Sequence, residues 1–315
     1  MARWDCIIVG SGPAGLGAAF KLTDLKPDSK ILIIDREKYS TGGLRNDCKM
    51  NFTFPIGFPL EYWEQENADY YLQQVMKILK PPVMDKYNLD IYEKRALKLH
   101  ARLLTVSQAH LGTDGGLILI KQLVAELEKR GVEFSLGEEV TDIDYDRKVL
   151  VSRKREMEYG DLIIAPGRKG FKFLQDIMNR LEISYNDNIV DIGIRVETRE
   201  ELYPIVKDYY DPKFMFPEKV RTFCTNSNAA YVVQEKYSSH DGVEYFSVNG
   251  HAWSNPEKTN NLVNFALLKT IKLTRPVASG QKFAEILGLQ ANLCGGGKPI
   301  MQRVGDFRMG KRSIK

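Results

Sequence analysis

Hydrophobic positions near the amino terminus predict a strand, a helix and a second strand within about thirty residues. Residues 5–10 (DCIIVG) form one short β-branched run, and residues 30–35 (KILIID) form another. Residues 11–25 (SGPAGLGAAFKLTDL) predict a turn that opens a helix, with Pro13 in the first helical turn, where a missing N–H costs nothing. Segments of this order and length predict a βαβ unit with parallel strands.

The middle of the chain predicts an insertion and then a second crossover. Residues 44–111 are rich in aromatic residues, and a helix predicted at 64–79 ends before Pro81. We interpret 44–111 as a segment inserted into the first domain. Residues 117–130 (LILIKQLVAELEKR) have helical periodicity and lead into a strand predicted at 132–136. The parallel sheet therefore gains a third strand.

From residue 140 onwards, the alternation of apolar and polar residues predicts mainly strands. Alternating segments within 140–160 predict a β-meander, and the apolar run DLIIA at 161–165 predicts a fourth parallel strand. Beyond Gly170, alternating runs predict strands at 191–196, 230–235, 245–249 and 265–272, with helices at 169–181 and 282–287. The pattern as a whole predicts an α/β fold: a Rossmann-type domain at 1–170, with a parallel sheet and a β-meander, and a β-rich α+β domain at 171–315.

Composition narrows the class of protein. The length of 315 residues predicts roughly two domains, and 43% hydrophobic with 27% charged residues excludes a disordered chain. The net charge of +4 is spread along the chain, which argues against a nucleic-acid or membrane-surface partner. The four cysteines form no C-x-x-C pair, and no run approaches the ~18 apolar residues of a membrane span. We therefore expect a cytoplasmic protein without a metal site.

The strongest motif is a glycine-rich turn between the first predicted strand and helix. Gly10 permits the tight turn, Gly12 lets a pyrophosphate approach the backbone, and Gly15 lets the helix pack closely on the sheet. Asp35 ends the second strand and is placed to accept hydrogen bonds from an adenosine ribose, with Arg36 next to it. The motif predicts a dinucleotide site. Its remaining residues are Ser11, Pro13 and Ala14.

Later features indicate which dinucleotide is bound. Gly42 and Gly43 follow the acid, and the meander leads to a strand that ends in Ala165-Pro166-Gly167. This order resembles the FAD domain of glutathione-reductase-like flavoproteins, in which an Ala-Thr-Gly-type motif stands at that position. Here Pro166 replaces the usual Thr. The resemblance implies FAD as cofactor, and it implies that the backbone near Val140 meets the adenine.

Characteristic segments across the whole chain narrow the resemblance further. The chain is similar to an uncharacterised family of FAD-dependent dehydrogenases, which implies an FAD fold with an inserted substrate or cap domain. Family members continue into a second flavin motif, and we expect this chain to lack that C-terminal segment. The segments that carry the resemblance are HLGTDG (110–115), APGRKG (165–170), VDIGIRVE (190–197), KVRTFCTN (219–226), VNGHA (248–252), NFALL (264–268) and GGGKPIMQRVGD (295–306).

Candidates for the reacting end of the site are a lone cysteine and two histidines. Cys48 follows the Gly42-Gly43 loop, and His110 or His251 is a candidate proton donor. Each also has a purely structural interpretation, so the catalytic residues stay unassigned. The glycine run at 294–298 is equally compatible with an anion-binding nest and with a flexible turn.

Three functional hypotheses follow from these observations. The leading one is an FAD-dependent oxidoreductase that transfers a hydride or electrons through the flavin. Its partner would be a small-molecule substrate or an electron-transfer protein, with NAD(P)H binding transiently as donor. An NAD-binding dehydrogenase is the second hypothesis. The third is a non-catalytic flavin-binding or electron-transfer subunit of a complex.

Overall fold

A computed structural model describes residues 2–39, 48–56, 62–186, 189–239, 241–274 and 279–314. The chain forms two compact units. The first comprises Met1–Met84, Val106–Tyr185 and Trp253–Asn255, and the second comprises Asp85–Thr105, Asn186–Ala252 and Pro256–Lys315.

The strands and helices of the described residues follow in chain order. They are β1 (Ala2–Val9), α1 (Pro13–Leu25), β2 (Ile31–Asp35), β3 (Lys49–Asn51), α2 (Gln65–Leu79), α3 (Leu89–Leu97), β4 (Arg102–Leu104), β5 (Gln108–His110), α4 (Gly112–Lys129), β6 (Glu133–Leu136), β7 (Val140–Asp144), β8 (Val149–Ser152), β9 (Glu156–Ile164), α5 (Phe171–Arg180), β10 (Val190–Arg199), β11 (Lys213–Phe216), β12 (Val220–Asn226), β13 (Ala230–Ser238), β14 (Glu244–Ala252), β15 (Leu262–Ile271), α6 (Gly280–Cys294) and α7 (Val304–Arg308).

The first unit is built on a sheet with strand order β6-β2-β1-β9-β8-β7. The strands β6, β2, β1 and β9 are parallel, with Ile8 opposite Ile33 on one side and Ile163 on the other. Ile8 and Ile33 are fully buried because the central strands of a parallel sheet are covered on both faces. The predicted Rossmann-type parallel sheet is confirmed.

Each face of this sheet has its own hydrophobic core. Leu16, Ala19 and Phe20 recur at helical spacing along α1 and pack on one face together with Leu123 of α4. Ile177 of α5 packs on the other face. Helix α5 lies beyond Gly170, where the sequence placed the start of the second domain, yet its apolar face belongs to the core of the first unit.

The β-meander differs from its prediction in one respect. Its third strand and the fourth parallel strand, predicted as separate elements, are one continuous strand, β9. Residues 156–158 pair antiparallel with β8, and the parallel pairing with β1 runs from Met157 to Ile164. Gly160 does not mark a turn: a Cβ there would lie 2.8 Å from the carbonyl oxygen of Asp5, so this glycine allows close approach of the two strands.

The second unit is mostly antiparallel β-structure. Its main sheet has the order β10-β15-β12-β11-β4, and β13 pairs with β14 in a separate hairpin. Three of the four alternating runs predicted beyond Gly170 lie wholly in strands, and the fourth, at 265–272, extends one residue past the end of β15. Helix α6 is longer than its prediction at 282–287. Helix α3 and strand β4 lie within the predicted insertion at 44–111 but pack with the second unit, because β4 adds to the edge of this sheet beside β11.

A buried polar network holds part of the second unit together. Arg195 of β10 donates to the side chain of Asn264, at 2.8 Å, and to the carbonyl oxygen of Cys224, at 2.7 Å. Asn226 donates to the same Asn264 oxygen at 3.1 Å, and both asparagines are fully buried. Gly250 of β14 adjoins the network, since a Cβ there would lie 1.8 Å from an Arg195 nitrogen.

No helix within the described ranges combines the length and the apolar character that a membrane span needs.

Candidate functional site

The turn after β1 is built so that only glycine fits at Gly10. Its φ of +107° lies in the region that L side chains rarely adopt. A Cβ at Gly10 would lie 2.1 Å from the carbonyl oxygen of Ala165, and the Gly10 N–H donates to the carbonyl oxygen of Ile34 at 2.8 Å. The turn is therefore enclosed by the ends of the two neighbouring parallel strands, β2 and β9.

The same turn opens α1. A Cβ at Gly15 would lie 1.9 Å from the carbonyl oxygen of Gly10, so the helix packs directly on the turn. Gly12 is the N-cap residue and has no side chain to bond the helix start. The first-turn N–H groups of Ala14 and Gly15 have no intrahelical acceptor, because bonding begins with Leu16 N–H to the Gly12 oxygen. Pro13 and Ala14 are exposed.

This arrangement is suited to an anion. Backbone N–H groups at a helix start, together with the positive end of the helix dipole, bind phosphate groups. The missing side chain at Gly12 lets such a group approach the backbone.

Asp35, at the end of β2, is bonded to this turn through Ser11. Its Oδ2 accepts from both the backbone N–H and the hydroxyl of Ser11, each at 2.7 Å. Its Oδ1 accepts from the N–H of Glu37 at 2.9 Å. Ser11 is 1% exposed, and Asp35 is half-buried. A carboxylate thus lies directly beside the phosphate-type turn, as the sequence predicts.

The Ala165-Pro166-Gly167 loop lies on the other side of the turn. The Ala165 N–H donates to the carbonyl oxygen of Val9 at 2.8 Å, which extends the pairing of β1 and β9. Gly167 has a φ of +63° and is exposed. The Arg36 guanidinium donates to the carbonyl oxygen of Lys169, just before α5, at 3.2 Å. This guanidinium is therefore partly engaged by the protein itself.

The turn between β6 and β7 leads into Val140, the first residue of β7, and is hydrogen-bonded to the chain beside Asp35. The Glu138 N–H donates to the carbonyl oxygen of Asp35 at 2.9 Å, and the Gly137 N–H donates to that of Glu37 at 2.8 Å. Val140 is half-buried and packs against the second core of the sheet. Two hydrogen bonds therefore hold the residues just before Val140 at the end of β2.

Glu138 is a buried carboxylate that the sequence analysis did not single out. It accepts from Ser135, from Ser152 at 2.6 Å and from Arg155 at 3.1 Å, and its side chain is 2% exposed. Burial alone would raise the pKa of Glu138, but these hydrogen bonds and the charge of Arg155 outweigh it and lower the pKa below its ordinary value. No local motif marks this residue, because its partners lie on β6, β8 and the turn before β9.

The other candidates separate into three groups. Gly42 and Gly43 lie outside the described residues. Cys48 is 1% exposed within the first core, so the structure makes it a small buried apolar residue rather than a reactive thiol. His110, at the end of β5, and His251, on β14, are half-buried.

The glycine run after α6 is not an anion-binding nest. Gly297 N–H donates to the carbonyl oxygen of Asn292 at 2.8 Å, and Gly296 N–H donates to that of Leu293 at 3.2 Å. These amides satisfy the last carbonyls of the helix, as at many helix ends. The nest hypothesis is wrong because the donors it needs face the negative end of α6.

The sheet order and the glycine turn define a dinucleotide-binding α/β fold. A family model described as pyridine nucleotide-disulphide oxidoreductase matches residues 4–191, and the chain belongs to this family of flavin-binding oxidoreductases. FAD is the cofactor. The start of α1, where the N-cap residue Gly12 carries no side chain, fits its ADP half.

Solved structures with similarity to the chain include two oxidases and one dehydrogenase. NikD, an unusual amino acid oxidase essential for nikkomycin biosynthesis, is 12% identical, with 89% of this chain and 73% of that chain covered and a TM-score of 0.40. Glycine oxidase from Bacillus cereus is 11% identical, with 92% and 77% covered and a TM-score of 0.43. Glycerol-3-phosphate dehydrogenase from Bacillus halodurans, complexed with FAD, is 11% identical, with 92% and 53% covered and a TM-score of 0.42. A search of curated proteins found no match.

Proposed function

We propose that the chain is an FAD-dependent dehydrogenase that transfers a hydride or electrons between a small-molecule substrate, or an electron-transfer protein, and the flavin. The observation that carries this proposal is the turn after β1, where Gly10 and Gly15 admit no side chain and α1 begins uncapped beside Asp35. Family membership supplies the reaction class.

The residues of the turn would hold the ADP half of the cofactor. The pyrophosphate would meet the N–H groups of Gly12, Ala14 and Gly15, and the adenosine ribose would donate to Asp35. The backbone near Val140 would meet the adenine. When bound, FAD supplies the hydride- or electron-accepting ring, and the protein supplies binding and orientation.

The remaining members of the proposed site are secondary to these. The loop after β9, formed by Ala165, Pro166 and Gly167, would border the cofactor. Arg36 would lie near the ribose. Gly42 and Gly43, outside the described residues, remain part of the proposal as the glycine pair that follows Asp35 in the sequence.

We further place the protein in the glutathione-reductase-like class of flavoproteins. Support comes from the parallel order β6-β2-β1-β9 combined with the β7-β8-β9 meander. A single glycine fingerprint of this kind in the sequence favours NAD(P)H as a transient donor over a dedicated second dinucleotide domain. The proposal includes a cytoplasmic location and no nucleic-acid or membrane partner.

The test begins with the cofactor. Purified protein is denatured, and the released chromophore is identified by its absorbance spectrum and by chromatography against FAD. We expect FAD, or uptake of added FAD by the apoprotein. A colourless preparation that takes up no FAD would refute the proposal.

A comparison of ligands separates FAD from NAD. A ligand at one hundred times its dissociation constant adds about 2.7 kcal/mol to the free energy of unfolding. We expect thermal stabilisation by FAD to exceed that by NAD, and a larger effect of NAD would favour an NAD-binding dehydrogenase instead. Reduction of the bound flavin by NADH or NADPH alone would exclude a non-catalytic subunit.

Two valine substitutions test the site itself. Gly12→Val places a branched side chain where the pyrophosphate must approach, so FAD binding should be lost. Gly17→Val is the matched control in the same helix, because Gly17 is exposed and a Cβ there meets no atom within 4 Å. Retained FAD binding by the Gly12 variant would show that the turn does not hold the cofactor.

A further inference from the structure

Ser11 stands at the second position of the glycine turn, where the fingerprint requires no particular side chain. Its hydroxyl points inward to the Oδ2 of Asp35 at 2.7 Å, and its own N–H donates to the same oxygen at 2.7 Å. With 1% of the residue exposed, the serine is almost completely enclosed.

These bonds determine which part of the Asp35 carboxylate is available to a ligand. An ionised carboxylate has about four acceptor positions. Two donors from Ser11 occupy Oδ2, and the Glu37 N–H, at 2.9 Å, occupies one position on Oδ1. Among the described residues no donor occupies the second position of Oδ1, and a ribose hydroxyl can take that position.

We propose that Ser11 is a positioning residue that acts through Asp35: its hydroxyl fixes the rotation of the carboxylate so that Oδ1 faces the adenosine ribose. This inference rests on the proposed function. It assigns the Ser11 side chain an effect on the affinity for a nucleotide that carries ribose hydroxyls, without contact between Ser11 and the ligand.

The experiment uses the full-length chain freed of flavin and two probes, ADP and its analogue without the 2′ and 3′ hydroxyls. A hydrogen bond to a charged group is worth enough to change a dissociation constant about tenfold. We expect Ser11→Ala to weaken ADP binding about tenfold and to leave binding of the dideoxy analogue unchanged. In an Asp35→Ala background, the Ser11 substitution should have no further effect.

Controls separate this role from a structural one. Ser29→Ala, in the loop before β2, should bind both probes as the wild type does. If Ser11→Ala does not fold, Ser11→Cys keeps the size but donates weakly, and it should show the same selective loss.

Three results would overturn the inference. They are unchanged ADP affinity in the Ser11 variant, an equal loss for both probes, and a loss that persists in the Asp35→Ala background. The second would assign Ser11 to the stability of the turn, and the third would place its hydroxyl on the ligand. A wild-type chain that binds neither ADP nor FAD would instead refute the proposed function.

Discussion

Gly15→Ala and Gly17→Ala place the same methyl group two positions apart in one helix, with opposite expected effects. A Cβ at Gly15 would lie 1.9 Å from the Gly10 oxygen, whereas ordinary contact begins at 3.4 Å, so the atoms must separate by about 1.5 Å. Gly10 has little room to move, since its N–H is bonded to Ile34 and its own α-carbon faces the Ala165 carbonyl group. A Cβ at Gly17 meets no atom within 4 Å.

The magnitudes follow from two opposing effects. Overpacking costs about 1–3 kcal/mol, and a clash between backbone atoms belongs at the upper end of that range. Replacing a helical glycine by alanine raises the free energy of unfolding by about 1 kcal/mol. Gly15→Ala should therefore lower the free energy of unfolding by about 2 kcal/mol, and Gly17→Ala should raise it by up to about 1 kcal/mol.

Thermal unfolding followed by circular dichroism measures both effects. For a unit of this size, 1 kcal/mol corresponds to about 2–4 °C in Tm, so Gly15→Ala should lower Tm by about 4–8 °C and weaken FAD binding. Gly17→Ala should raise Tm by up to about 4 °C and leave FAD binding unchanged. Equal Tm values for the two variants, with FAD retained in both, would refute the argument that the helix packs directly on the turn.

Three further predictions concern other parts of the chain. Glu138→Gln removes a buried carboxylate whose pKa is lowered in the folded state. The stability that this carboxylate contributes is therefore present above the ordinary pKa of 4.5 and is lost as the pH falls below it. The wild type should exceed this variant in Tm at pH 7 by an amount that shrinks toward pH 3, and a pH-independent difference would contradict the assignment. Gly250→Ala drives a Cβ to within 1.8 Å of Arg195 and should destabilise the second unit by about 2 kcal/mol in urea unfolding, whereas an unchanged midpoint would show that the guanidinium moves aside at no cost. Iodoacetamide should label the exposed Cys294 in the native protein and the buried Cys48 only after unfolding, as followed by mass spectrometry, and rapid native labelling of Cys48 would contradict its burial.

The parts of the site that the sequence predicted are those close together in the chain. The strand, turn and helix around Gly10, Gly12 and Gly15 follow from local physical rules, because burial sets the strand and the freedom of glycine sets the turn. Asp35 could be placed beside them because a βαβ unit has a fixed hand and brings the ends of its parallel strands to one edge of the sheet.

The parts that the sequence missed depend on segments far apart in the chain. The segment 159–161 has the composition of a turn. Pairing with β1 from Met157 to Ile164 nevertheless keeps β9 continuous. Cys48 follows the glycine pair at 42–43 in the sequence, as a reactive residue would, and only the packing of the first core reveals its burial.

The sequence by itself determined the fold class, the dinucleotide turn and the acid beside it, because glycine conformation, strand burial and helix periodicity are properties of neighbouring residues. The tertiary structure decided which polar groups meet. It placed the hydrogen-bonding partners of Glu138 around that carboxylate, and it directed the Ser11 hydroxyl to Asp35. It also bonded the glycine amides after α6 to carbonyl oxygens of that helix. A hydrogen bond requires two groups within about 3 Å, and the sequence does not specify distances of that scale between residues on different strands.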